Sequence, residues 1–263
     1  MRQSNKIVII LLLCILVSAD EVRARMFTKP QEYGRVIIAN YSERAGLAPV
    51  VFDHWLHRAQ FTCRLCHVDI GFAMTAGGTN ITAATNRQGF YCGACHNGKR
   101  RFNGKALFAS CSEGTLLKDA GCERCHSKDK KVINENDFNA FVNKMPKKGF
   151  GNGIDWEAAE NSRLIDPVDV IEGISMQRTP MKAQKDFSIE ANVAWISSVI
   201  FSHKKHAVWN GCEVCHPDIF PVKKGAAKFT MFEIDEGRYC GVCHDKVAFP
   251  LVACERCHTG KLY

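Results

Sequence analysis

Twelve of the fourteen cysteines in this 263-residue chain fall into six Cys-x-x-Cys pairs, and a histidine follows each pair immediately. The pairs are Cys63/Cys66, Cys92/Cys95, Cys122/Cys125, Cys212/Cys215, Cys240/Cys243 and Cys254/Cys257, with His67, His96, His126, His216, His244 and His258 behind them. Zinc ribbons and secreted disulfide frameworks also use paired cysteines, but neither needs histidine at the next position. Histidine is so sparse in the chain that six such placements by chance have odds on the order of 10⁻⁹.

The spacing fits covalent haem attachment. Two thioether bonds need two sulfurs on one side of a tight turn, and a separation of three residues supplies that on a helical turn. The adjacent histidine then lies under the iron as proximal ligand. Six sites imply six covalently attached haem c groups. Without the N-terminal segment discussed below, about 41 residues serve each haem. That is too little protein to wrap six macrocycles separately. The expectation is a mostly irregular chain with short α-helices and small β-hairpins, in which close, partly exposed haems form most of the core.

Four histidines remain after the six proximal ones: His54, His57, His203 and His206. They form two His-x-x-His pairs, and in both the second histidine lies six positions before the first cysteine of a motif. Positions i and i+3 share a helix face, so each pair can serve two neighbouring irons as distal ligands. The rest of the chain repeats around them. His67-Val-Asp-Ile parallels His216-Pro-Asp-Ile, Gly89-Phe-Tyr-Cys-Gly-Ala-Cys-His parallels Gly237-Arg-Tyr-Cys-Gly-Val-Cys-His, and Cys-Glu-Arg-Cys-His recurs at 122 and 254. This defines one unit over 33–127 and a second over 186–263. Tyr33–Asn40 and Pro49–Phe52 read as a two-stranded hairpin ahead of His54, and Phe187–Ala191 with Ser198–Phe201 as its counterpart. The connector, 128–185, has neither cysteine nor histidine. Its Trp156, Leu164, Val168, Val170 and Ile171 argue against a flexible linker, so it is expected to pack along both units as irregular structure with short helices.

Six bis-histidine haems need twelve histidines, and the chain has ten. One haem in each unit therefore lacks a distal histidine. Methionine there would raise its potential, and an open face would admit small molecules. Met231 is the candidate in the second unit. The aligned residue in the first is Ala83, with Met74 the nearest substitute, and Met145, Met176 and Met181 lie in the connector. Cys111 is left unpaired, as a free thiol, an intermolecular disulfide partner or an unusual ligand.

Phe-x-His-x-x-His followed by three Cys-x-x-Cys-His sites resembles the cytochrome c7-type triheme domain, a relative of tetrahaem cytochrome c3, here in tandem. The resemblance implies two c7/c3-like multihaem units. It also implies that His54 and His203 ligate the first haem of each unit, and His57 and His206 the second. In the family's basic form a third free histidine serves the third haem. Both units lack it, and some tandem members are similar in using methionine instead.

Arg2 and Lys6 precede a 13-residue apolar run, Ile7–Ala19, that contains Cys14. This reads as a signal peptide over 1–19, the alternative being an uncleaved anchor. No other stretch reads as a membrane span. The formal charge of +8 would be largely offset by six haems of about −1 each, which argues against nucleic acid as a partner. Together these features predict an exported electron carrier, periplasmic or at the outer surface. Its partners would be other redox proteins, such as cytochromes, a quinol-oxidising complex or an outer-membrane conduit, or an extracellular acceptor. A reductase of a small oxyanion or metal ion at an open haem, and a haem-filament subunit, are the competing readings. No separate catalytic constellation stands out.

Overall fold

The computed structural model describes residues 28–111, 122–127, 137–179, 181–182 and 184–260. The expected signal peptide, with Cys14, lies outside them. No helix among the described residues is long and apolar enough to cross a membrane.

The elements are short, as expected of a chain with so few residues per attachment site. In the first unit β1 (Arg35–Ile38) pairs antiparallel with β2 (Val50–Asp53), Arg35 facing Asp53 and Ile38 facing Val50. The Arg35 guanidinium meets Asp53 at 2.6 Å and closes the open end of this hairpin. The turn between them contains Gly46 at φ 70°, a conformation that glycine adopts without steric cost. Helix α1 (His54–Arg58) starts directly after β2. Next come α2 (Ala83–Arg87) and α3 (Cys92–Cys95). A second hairpin of β3 (Arg101–Phe102) and β4 (Lys105–Ala106) occupies the first unit's surplus length; nothing in the repeat foretold it. The second unit repeats the plan with β5 (Phe187–Ile189) and β6 (Val199–Phe201), which pair Phe187 with Phe201; α6 (His203–Asn210) and α7 (Met231–Asp235) follow. β2 keeps the expected length shifted by one residue, while β1, β5 and β6 are shorter than their sequence signatures. Contacts to the third attachment site flank both hairpins: Val51 N–H donates to the Cys125 carbonyl at 2.8 Å, and Gly260 N–H donates to the Ser198 carbonyl at 2.8 Å.

The connector supplies α4 (Phe138–Val142) and α5 (Trp156–Asn161), capped by the carboxylates of Asp137 and Asp155. These helices build the largest cluster of buried apolar side chains: Met145, Ile154, Trp156, Ala159 and Ile165 around Trp55 of the first unit, with Trp209 of the second packed against it. Ion pairs complete the tie. Arg64 is 2% exposed and bonds Asp69 at 2.9 Å and Asp169 at 2.8 Å. Arg178 then bridges Asp69 at 2.7 Å to Glu213 at 2.9 Å. Arg64 and Glu213 are spacer residues inside the first motif of each unit, so a connector arginine links the two attachment loops.

Candidate haem sites

Each motif folds as a single helical turn. The histidine N–H donates to the first cysteine's carbonyl at 2.8–3.0 Å in His96, His126, His216, His244 and His258. That bond puts both sulfurs on one side and the imidazole beneath them. The middle motifs need glycine for a further reason. A Cβ on Gly93 would lie 1.8 Å from the Asn86 carbonyl oxygen, and one on Gly241 1.8 Å from that of Ile234. The preceding tyrosines, Tyr91 and Tyr239, have φ of 50° and 51°, so the close approach and the unusual backbone recur together.

The histidines are oriented as ligands. Eight of the ten point Nδ1 at a backbone carbonyl: His54 at Gly34 (2.5 Å), His67 at Phe72 (2.9 Å), His126 at Ala48 (2.6 Å), His203 at Lys185 (3.1 Å), His206 at Ser202 (2.8 Å), His216 at Phe220 (2.7 Å), His244 at Phe249 (3.0 Å) and His258 at Ser197 (2.6 Å). With Nδ1–H donating, Nε2 keeps its lone pair for a metal. His57 and His96 bury Nδ1 without a hydrogen-bond partner. Burial holds His54 and His57 at a pKa of about 4 and lowers His67, His96, His206 and His244 in the same direction. All six are therefore neutral at pH 7, the form that binds metal.

Distances between rings are more specific. An iron held at about 2 Å by Nε2 of two imidazoles puts their ring centroids roughly 6.3 Å apart. His54 and His67 stand at 6.5 Å with rings 8° from parallel, His57 and His96 at 6.3 Å, and His206 and His244 at 6.4 Å. Each pair joins a His-x-x-His residue to a motif histidine in the order the family resemblance implies. No such ring pair forms among the described residues for His203 with His216, or at His126 and His258.

A cavity of about 1780 Å³ runs past these groups, lined by ten of the twelve motif cysteines and seven of the ten histidines. Small-molecule pockets commonly hold about 300–1,000 Å³, so this space suits several large groups rather than one ligand. None of its cysteines is paired in a disulfide. Burial raises Cys66, Cys92 and Cys243 to about 12 and Cys125 and Cys240 to about 11. Neighbouring thiols contribute next and reveal the order of the sites: Cys66 feels Cys92 and Cys95, Cys92 feels Cys125, Cys215 feels Cys63, and Cys240 feels Cys215 and Cys257. Cys243 feels both Cys63 and Cys215, so the attachment points of Cys63/Cys66, Cys212/Cys215 and Cys240/Cys243 lie together where the units meet, with Cys92/Cys95 and Cys122/Cys125 on one side and Cys254/Cys257 on the other.

Met74 and Met231 line the cavity. Met231 opens α7 behind Thr230, where Ala83 opens α2 behind Thr82, and both helices start with a capping box. Met145 is engaged in the connector core, and Met176, Met181 and Met231 are exposed, Met231 by 54%. Cys111 receives the Asn86 amide at 3.7 Å. Residues that the motif reading passed over are Tyr33, Arg58, Arg64 and Arg178. Their signal is a break in the repeat: Trp55 and Arg58 correspond to Lys204 and Ala207.

Comparison with known proteins gives the class. The family model "Cytochrome c7 and related cytochrome c" matches residues 50–127 and 199–259, over half of the chain. The chain belongs to this family and is a multihaem c-type cytochrome. Among solved structures it is similar to a "c7-type three-heme cytochrome domain", at 34% identity over 30% of this chain and 99% of that one, with a TM-score of 0.27. It is also similar to the C-terminal hexaheme fragment of GSU1996, at 24% identity over 86% and 96% of the two chains and a TM-score of 0.26. The dodecaheme cytochrome c GSU1996 matches at 23% identity over 86% and 74%, also with a TM-score of 0.26. No curated protein matches the chain.

Proposed function

We propose that the chain carries six haems and passes electrons along them between redox partners outside the cytoplasm. The observation that supports this best is that every one of the six motifs contributes a cysteine to the lining of one cavity. When bound, haem c supplies iron that cycles between ferric and ferrous states. The protein's own task is then to hold the irons close, keep their ligands neutral and limit reorganisation. His54 with His67, His57 with His96, and His206 with His244 would hold three of the haem irons, and His203 with His216 would hold a fourth. The backbone carbonyls that fix Nδ1 set the ring orientation. His126 and His258 would hold the third haem of each unit, with Met74 and Met231 as the candidate thioether ligands that would close them. The partners are other redox proteins or an extracellular acceptor, and the protein is exported, to the periplasm or the outer surface.

The histidine shortfall also favours a second reading, a reductase with an open distal face at His126. Carbon monoxide added to the reduced holoprotein separates the two. A carrier with six closed sites shows no fast, stoichiometric spectral change. Stoichiometric binding at one or two haems contradicts the closed carrier and supports reduction of a small molecule. Met231→Ala should remove a near-infrared charge-transfer band if the thioether is a ligand.

A further inference from the structure

The two units meet at a buried cation that the repeat does not contain. Arg58, the last residue of α1, lies 4.6 Å from the Trp156 ring centroid of the connector and 5.1 Å from that of Trp209 in the second unit. Its guanidinium donates to the Val247 carbonyl. Val247 N–H in turn donates to the Cys243 carbonyl at 2.9 Å, within the loop whose Phe249 carbonyl orients His244. Tyr33 of the first unit reaches the same loop at the Ala248 carbonyl. Arg58 Nε is buried with no hydrogen-bond partner, and no carboxylate pairs with the guanidinium among the described residues. Yet Arg58 lines the haem cavity, close enough to Cys63 and Cys243 for its charge to act on both thiols. Arginine keeps its proton even when buried, and two indoles leave little water to screen it.

We propose that Arg58 tunes electron passage between the units: its fixed positive charge raises the reduction potentials of the haems bound at Cys63/Cys66 and Cys240/Cys243. The corresponding residue of the second unit is Ala207, so the charge acts at the joint and not once per unit. A site that holds the electron more readily on both sides of the joint favours crossing over return within a unit. The role rests on the electron-carrier reading, but the measurement does not: equilibrium potentials test the tuning, whereas the rate of transfer between haems tests the carrier.

The test is a stepwise equilibrium titration of the six-haem protein, with individual haems followed by NMR, on wild type, R58Q and R58K. Glutamine removes the charge and keeps a donor for the Val247 carbonyl; lysine keeps the charge. At a fixed potential R58Q should shift two haems roughly tenfold toward the oxidised form, the effect of a unit charge about 10 Å away at an effective dielectric constant of about 20. The other four should stay put, and R58K should restore most of the shift. Unchanged ratios in fully loaded R58Q, an equal shift of all six haems, or R58K behaving like R58Q would each overturn the proposal. If R58Q does not load six haems, R58M, which preserves packing against both indoles, carries the same expectation.

Discussion

Gly93 and Gly241 show how one missing methyl group can fix a cofactor site. Each lets a helix carbonyl approach the attachment turn more closely than any side chain allows. Gly93→Ala should cost roughly 3 kcal/mol through overpacking and lower haem occupancy at Cys92/Cys95 while sparing the other sites. Occupancy site by site, from mass spectrometry of proteolytic fragments, checks this; full loading of that site would contradict it. Histidine burial sets the response to acid. Burial holds His54 and His57 at about 4 in the fold, well below the ordinary imidazole value of 6.5. The unfolded chain therefore takes up protons first, and the stability these rings contribute is complete above pH 6.5 and lost as the pH falls toward 4. Denaturant titrations across that range should show falling stability, and a flat profile would refute the ligand environment described. The motif cysteines and histidines stood out in the sequence by their fixed Cys-x-x-Cys-His spacing, and His54, His57, His203 and His206 by recurring six and nine positions ahead of a motif. Arg58 and Arg64 were not, since one arginine in a basic chain means little until its neighbours are known.

Among the elements, both unit hairpins were readable from short β-branched and aromatic runs ahead of each His-x-x-His pair. Their contacts with Cys125 and Gly260 were not, because those residues lie far away in sequence. The same holds for the connector. Its aromatic content implied packing, but that α4 and α5 would enclose Trp55 depended on long-range contacts. Trp156→Ala should destabilise the protein by about 4 kcal/mol and loosen the joint between units without removing any attachment site. Thermal unfolding with haem content monitored would show a lower midpoint at constant loading. An unaltered midpoint would mean that the haems alone hold the units together.

For the molecule as a whole, residues and cofactors divide the interior between them. The protein builds one modest apolar cluster at the joint and leaves a long cavity through both units, which fits an architecture in which macrocycles supply the missing core. The paired arginines and carboxylates from Arg64 to Glu213 then matter as spacers: they fix the distance between the two attachment loops nearest the joint. Everything depends on the cavity holding covalent haem at every motif. Intact mass spectrometry of the protein made in a host that attaches haem c tests that most directly. The expected mass is that of the polypeptide plus six haems, with all twelve motif cysteines inaccessible to thiol alkylation. A stably folded chain without that added mass, its motif thiols still free, would contradict the account.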